Sequence, residues 1–516
     1  MKLVKAMLTV GGLTGLSRIA GFIRDVLMAR ILGAGPISDA FFVALKLPNF
    51  FRRVTAEGAF SVAFVPLYSE KIEKDGRGSA DAFASNAFVV MGLILSVFTV
   101  LALMAMPYII NLIAPGFEQE GARYVAAIEL SRISFPYLLL MSLTALLGGV
   151  LNALNRFAPF AFAPVLFNIC LITALLVSGA FLTVGHALSY GIIAAGLLQL
   201  IFLIICAKRA GVALKIKRPQ FNGDIKRIFK LMGPGVIGAG VMHVNLFADM
   251  IIASFLQEGS ISYLYYADRL NQLPLGVVGI AVGTALLPML SRSVAAGENG
   301  QAVGLFNRAM EYCFLFAFPA ALALGAFSFL IISVLFEHGA FGADDAVMTS
   351  YVLMGYVVGL PAYIATKVFS TVHWAHQDTK TPVRIAIITT LVNIALSLLL
   401  IRFIDAAGIS LATGLCGWLQ YALHMKALKK REGFSFDTKF KANLMKIIAG
   451  TFMMLILCAL IQYGFTIVVP PMEVLSGWLL EFVELALVVG GGVIFYGVWI
   501  LKSGVADLSV LKLRRR

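Results

Sequence analysis

Charge is scarce in this chain. Only 13% of its 516 residues are Asp, Glu, Lys or Arg, against 60% hydrophobic. That is too little polar surface to coat a soluble fold of this size, so the class is an all-α polytopic membrane protein. Cysteine is scarce too. Cys170, Cys206, Cys313, Cys416 and Cys458 stand far apart in apolar surroundings without CxxC spacing. This excludes a disulfide framework or a cysteine metal site and predicts reduced, buried thiols. No GxxxxGK[ST], and no GxGxxG between a strand and a helix, is present. Nucleotide loops are thereby excluded, and with no nucleophile–base pair or ligand cluster the chain is expected to be no enzyme, with no catalytic residue, metal or cofactor. No small-residue cleavage site follows the first apolar run, which therefore reads as a retained helix.

What charge there is sits unevenly. The formal net charge is +14, yet most basic residues lie in short loops and the C-terminal Leu-Arg-Arg-Arg tail. That pattern fits topology signals rather than a nucleic-acid surface. A bilayer span needs about 20 mostly apolar residues. Fourteen candidates have cores near 6–33, 37–67, 83–110, 123–151, 160–182, 187–207, 228–256, 262–291, 305–336, 346–374, 383–402, 407–427, 444–468 and 474–501. The first two carry charges and are the weakest by hydropathy; an interfacial amphipathic helix is the alternative for the first. Lys and Arg gather in the loops after even-numbered segments and at both termini, whereas the opposite loops are neutral or acidic. Both termini are therefore expected in the cytoplasm, which requires an even count; twelve or sixteen would also satisfy it.

The chain faintly repeats itself. Pro48 and Pro274, Pro66 and Pro288, Pro136 and Pro361, and Asn168 and Asn393 are separated by 222 to 226 positions. Segments 2, 4 and 5 thus correspond to 8, 10 and 11. A six-span repeat predicts two lobes in parallel orientation, a transporter architecture with its cargo site between the lobes. The expected organisation is an N-lobe over 1–210, a cytoplasmic linker over 211–224, a C-lobe over 225–430, and an extra helix pair with a basic tail over 431–516. That extra pair is either a peripheral support or a surface for something the twelve-helix core cannot hold, such as a lipid tail.

Arginine stands where lipid should be. Arg18, Arg24, Arg52, Arg53 and Arg269 fall within apolar segments, and a guanidinium placed in hydrocarbon costs from about 2.5 to more than 10 kcal/mol. They are expected to face a wet protein interior. Arg18 and Asp25 are seven apart and share a helix face; Asp39, Lys46 and Arg53 step by seven, with Glu57 four further on. Pro48 interrupts that stripe, so either Arg52 or Arg53 can face the cavity. Pairing of Arg24 with Asp25, and of Asp268 with Arg269, would neutralise some of this charge between packed helices. Over 18–53 and 268–269 the basic residues still outnumber the acidic ones, and an arginine fork suits phosphate or carboxylate. A diphosphate is the natural partner. His243, Asn245 and Asp249 could form a cation or proton site or a packing hydrogen bond, and Lys367 either faces the cavity or snorkels. Gly233, Pro234, Gly235, Gly238 and Gly240 mark a bendable or closely packed start to segment 7.

The runs SRIAGFIRD (17–25), DAFFVALKLPNFFRRVTAEGAFSVAFVP (39–66) and YYADRLNQLPLGVVGIAVGTALLP (265–288) resemble the lipid II flippases called MurJ or MviN, of the multidrug/oligosaccharidyl-lipid/polysaccharide exporter superfamily. The resemblance covers essentially the whole chain. It implies a protein of the bacterial inner membrane that moves an undecaprenyl-diphosphate-linked disaccharide-pentapeptide to the periplasmic leaflet for peptidoglycan synthesis, by alternating access. It implies substrate contact by Arg18, Arg24, Asp25, Arg52 and Arg269, favouring Arg52 over Arg53, and cavity or gating roles for Asp39, Glu57, Asp268 and the position of Gln272. It also implies a lipid-tail groove on the last two helices. Some members have a glutamate where this chain has Gln272. Some bind sodium through an aspartate matched by Asp249 and an acid in segment 11, where this chain has Asn393 and no acid. Coupling to Na+, H+ or the membrane potential stays open. The expected partners are lipid II, the phospholipid bilayer, and cell-wall synthesis or division proteins. The rival readings are a multidrug antiporter, another polyprenyl-diphosphate oligosaccharide flippase, and a non-transporting scaffold.

Overall fold

The structure is a computed structural model and describes residues 2–51, 60–215, 218–429, 434–468 and 477–505. Among them run sixteen α-helices and no strand: α1 (Lys2–Leu32), α2 (Pro36–Phe51), α3 (Ser61–Met104), α4 (Met106–Ile113), α5 (Ala122–Ser134), α6 (Tyr137–Ala153), α7 (Ala158–Leu176), α8 (Val184–Arg209), α9 (Gly223–Ser254), α10 (Ser260–Ala295), α11 (Asn299–Ala326), α12 (Ser328–Phe336), α13 (Ala343–Ala375), α14 (Lys380–Lys429), α15 (Thr438–Val468) and α16 (Gly477–Lys502). An all-helical membrane fold is what the composition predicts. Nine stretches of the described residues are long and apolar enough to cross a membrane. The charge-bearing α1 and α2 are not among them. One of the nine is α14, a 50-residue helix broken at Ile404 and Asp405, where Asp405 takes φ 45°. Another joins α5 and α6 across a break at Phe135 and Pro136. The matching Pro361 lies inside the uninterrupted α13.

Contacts divide the chain into two units. The first is Met1–Ser262 with Gly339–Phe341; the second is Tyr263–His338 with Gly342–Arg516. In the first, α3, α6, α8 and the start of α9 share an apolar core around Phe64, Leu147, Val150, Leu203 and Ile225. Phe60, Phe64 and Phe83 stack within it at ring separations of 5.1 and 5.3 Å. The segment leading into α9 is pinned to α3 by polar groups. Asp81 accepts from Tyr68 Oη at 2.9 Å, Arg77 Nε at 3.1 Å and the Ala213 N–H at 3.1 Å. The Asn86 amide exchanges two bonds with the Gln220 main chain. The repeat groups α9 with the second half of the sequence; its contacts group it with the first unit, because Ile225 and Ile228 are buried in that core.

At one end of this unit, turns from distant parts of the sequence meet the α1–α2 connection. The Ala340 N–H donates to the Arg30 carbonyl at 2.9 Å. Gly33 and Gly339 have φ of 71° and 65°, and a Cβ on either would come within 2.4 Å of the other strand's carbonyl oxygen. Asp39, wholly buried near the start of α2, accepts the Gly259 N–H at 2.8 Å, the Ser262 N–H at 2.9 Å and the Ser262 hydroxyl at 2.7 Å. The first turn of a helix leaves N–H groups without intrahelical partners, so Asp39 caps α10 from across the chain. Its charge also suits the positive helix end.

The second unit is built on close helix crossings. On α13 and α14, Gly359 meets Gly414: a Cβ on Gly359 would lie 2.5 Å from Gly414 Cα. Small residues at a crossing let main chains approach within contact distance. The last pair is fastened by aromatic donors: Tyr496 Oη bonds the Leu315 carbonyl at 2.9 Å, Trp499 Nε1 the Lys446 carbonyl at 3.0 Å and Trp478 Nε1 the Val334 carbonyl at 3.2 Å. The 434–437 segment is held by Arg308, which reaches Glu311 and both oxygens of Asp437. Of the five thiols, Cys313, Cys416 and Cys458 are buried as expected, while Cys170 and Cys206 are only half-buried.

Gly359→Val should destabilise the second unit by about 1–3 kcal/mol, the usual cost of overpacking. The melting temperature of detergent-purified protein measures it, and an unchanged value would mean the helices can part without penalty. Asp39→Ala removes the acceptor for three donors, each bond to a carboxylate being worth about 1.5–3 kcal/mol. A cysteine placed at the buried Ser260 should then react faster with a water-soluble maleimide than it does with Asp39 intact; equal rates would count against the cap.

Candidate charged binding site

α1 is a continuous helix packed on α7, and its charged residues end in different surroundings. Arg18 is exposed. Arg24 and Asp25 are buried, at 7% and 3% exposure, so the helix face that Arg18 and Asp25 were expected to share turns from exposed to buried within two turns. Asp25 Oδ1 accepts from Arg24 Nε at 3.0 Å and Nη2 at 2.6 Å. Arg24 Nη1 donates to Asn168 Oδ1 on α7 at 2.8 Å, and the guanidinium lies 5.9 Å from the Phe167 ring centre. A guanidinium has five N–H donors and cannot shed its proton. Three of those donors are thus directed by two fixed acceptors, and the charge stays.

Two more predicted residues of this unit have local partners. Asp39 belongs to the helix cap described above, 3.9 Å from Arg123 Nη1. Asp249 Oδ2 is 3.4 Å from Asn245 Nδ2, one turn earlier on α9. Lys46 is half-buried on α2, two positions before Pro48. Arg52, Arg53 and Glu57 lie outside the described residues, as do the side chains of Pro234 and His243 and the surroundings of Gly235, Gly238 and Gly240.

In the second unit, Arg269 on α10 is half-buried. Its Nη2 donates to Tyr265 Oη at 3.0 Å and its guanidinium sits 4.6 Å from the Tyr265 ring centre. Gln272 Nε2 donates to Asp268 Oδ2, so the amide at the position where some family members carry glutamate bonds the neighbouring acid. Asn393 is buried, and its Nδ2 donates to Thr413 Oγ1 at 3.1 Å across the two arms of α14. Lys367 is exposed on α13.

Each unit therefore presents an arginine held in a set orientation by neutral or acidic partners. Oriented, permanently charged forks are what a phosphate or diphosphate group binds well, through paired N–H donors. Two partners escaped the sequence reading. Tyr265 stands one turn before Arg269, a spacing visible in the sequence. Asn168 was noticed only as a mark of the repeat; its signal was an amide alone in an apolar segment.

Comparison with known proteins gives the chain a family. The family model described as lipid II flippase MurJ matches residues 28–474. A probable lipid II flippase MurJ of Rhizobium meliloti is 40% identical over 459 residues, spanning 88% of this chain and 86% of that protein. The lipid II flippase MurJ of Burkholderia cenocepacia is 35% identical over 436 residues, 84% of each. Among solved structures, a lipid II flippase MurJ in an inward closed conformation superposes with a TM-score of 0.78 at 28% identity, covering 96% of this chain and 99% of that one. An inward-facing multidrug MATE transporter of the MOP superfamily shares the fold at 14% identity, with a TM-score of 0.69 over 83% of this chain and 99% of its own. The chain belongs to the lipid II flippase MurJ family.

Proposed function

We propose that this protein is a transporter, not a catalyst, and moves lipid II from the cytoplasmic to the periplasmic leaflet of the bacterial inner membrane by alternating access. On this reading the chain has fourteen spans with both termini in the cytoplasm, which the Lys/Arg bias of the loops supports, and two six-span lobes, 1–210 and 225–430, that each carry charged residues. The diphosphate head engages Arg24 and Arg269, with Arg18 and Arg52 completing the cationic lining, while the polyprenyl tail stays in lipid against α15 and α16. The observation that carries this reading is the Arg24 fork, buried at 7% exposure yet still charged and oriented by Asp25 and Asn168. A guanidinium at that depth is costly, and an anionic cargo gives the cost a purpose. Asp39 and the turn at 259–262 act as the gate that must part for outward release.

The superfamily fold alone would equally allow a multidrug antiporter. A cation-exporting site calls for acidic groups, and the basic surplus over 18–53 and 268–269 argues against it. In cells depleted of the native flippase, Arg24→Ala and Arg269→Ala variants present at normal protein levels should fail to prevent lysis, with lipid II accumulating on the cytoplasmic leaflet. Full rescue by either variant would overturn the assignment of that arginine, and full rescue by the double variant the whole site.

Transport does not require sodium in this chain. Segment 11 supplies no carboxylate beside Asn393. Translocation in proteoliposomes should be unchanged when Na+ is replaced by choline and should fall when the membrane potential is collapsed. Strict dependence on Na+ would refute this.

A further inference from the structure

Arg24 is held on one side by an amide whose two ends are both committed to α1. Asn168 Oδ1 accepts from Arg24 Nη1 at 2.8 Å, and Nδ2 donates to the Ser17 carbonyl at 3.0 Å, with Ser17 Oγ 3.5 Å away. An asparagine amide has one acceptor end and one donor end. Turning it over would set its NH2 against a guanidinium and its oxygen against a carbonyl, so its orientation is locked. Ser17, Gly21 and Arg24 follow one another on one face of α1. A Cβ on Gly21 would touch Asn168 Nδ2 at 3.5 Å, so the amide lies directly on that helix. Asn168 itself is 5% exposed.

The uncharged nature of this acceptor matters. Asp25 already supplies one carboxylate to Arg24 at 2.6 Å. A second carboxylate at 168 would bond the fork more strongly, since bonds between charged partners are stronger, while its other oxygen would lose the tie to the Ser17 carbonyl. It would also turn the cluster net negative, and at low local dielectric that charge would repel an anionic head group. An amide orients the fork without adding negative charge.

We propose that Asn168 is a positioning residue for the anion site: it fixes the Arg24 guanidinium against α1 through a neutral acceptor, so that the fork stays aimed while the cluster can still attract a lipid-linked diphosphate. This rests on Arg24 being a ligand of that diphosphate.

A purely structural role and a positioning role predict opposite orders for two variants. Asn168→Asp keeps an acceptor for Arg24; Asn168→Ala keeps none. If Asn168 only braces the helices, Asn168→Ala should be the worse variant in both melting temperature and transport. On the present proposal the two readouts split. Asn168→Asp should melt at or above Asn168→Ala, yet bind lipid II more weakly, by about tenfold or more for one added negative charge beside the site, and translocate more slowly in proteoliposomes. Asn168→Asp binding lipid II as well as Asn168→Ala does would overturn the proposal. If Asn168→Asp does not fold, Asn168→Leu takes its place: similar in size but without an acceptor, it should lower lipid II affinity several-fold when measured well below its own melting temperature, and unchanged affinity would overturn the proposal. Arg24→Gln serves as the control. Wild-type lipid II affinity in Arg24→Gln would mean that the reading of the site itself has failed; loss of affinity there, with no split at 168, would mean that only the role of Asn168 has.

Discussion

A permanent positive charge cannot be left alone inside an apolar fold, and much of the first unit is arranged around that constraint at Arg24. The residue is 7% exposed and keeps its proton. Its neighbour Asp25 neutralises it and Asn168 aims it. The packing of α1 on α7 follows, because the amide that reaches Arg24 also ties back to Ser17. On the proposed reading the function inherits the same constraint: a charge that must be kept and directed is usable by a cargo of opposite sign. In the second unit Arg269 is handled by different means. A tyrosine one turn away offers it both a hydroxyl and a ring face, a contact that is partly hydrogen bond and partly cation–π attraction.

The second recurring device is close approach of main chains. Where Gly359 crosses Gly414, and where Gly33 and Gly339 face each other's neighbours, no side chain fits. Lipid gives little hydrophobic reward for bringing one apolar helix against another, so shape and interhelical hydrogen bonds do that work. The tryptophan and tyrosine donors that fasten α15 and α16 to main-chain carbonyls belong to the same scheme.

Much of this was legible in the sequence. Apolar length gave the helical class, and arginines in apolar runs pointed to the candidate site, but the break at Pro136 falls inside a segment that reads as continuous, 123–151. Local pairs were legible as well: Arg24 with Asp25 is an adjacent pair, and Asp268 with Gln272 is one turn apart. Contacts that close over long distances were not. Asp39 reads as one more charge on a polar stripe; that it caps a helix beginning 221 positions later depends on a tertiary approach with no periodic signature. Hydropathy did separate the two arms of α14, as segments 383–402 and 407–427, but not the means, a φ of 45° at Asp405. Asn168 was visible but uninterpretable, because an amide in an apolar segment has no charge to point at its partner.

The spacing of these partners along the chain also dictates an order of events at the ribosome. Arg24 and Asp25 leave together, so the carboxylate accompanies the guanidinium from the moment the first helix meets the membrane. Asn168 emerges 144 residues later, roughly 7–30 s at ordinary rates of synthesis. The residues that Asp39 caps arrive later still, 220 positions on. For that interval Asp39 has no helix end to cap, and Arg123, 84 positions on, is the nearest cation it can meet. The adjacent acid beside Arg24 thus serves the nascent chain as well as the finished transporter.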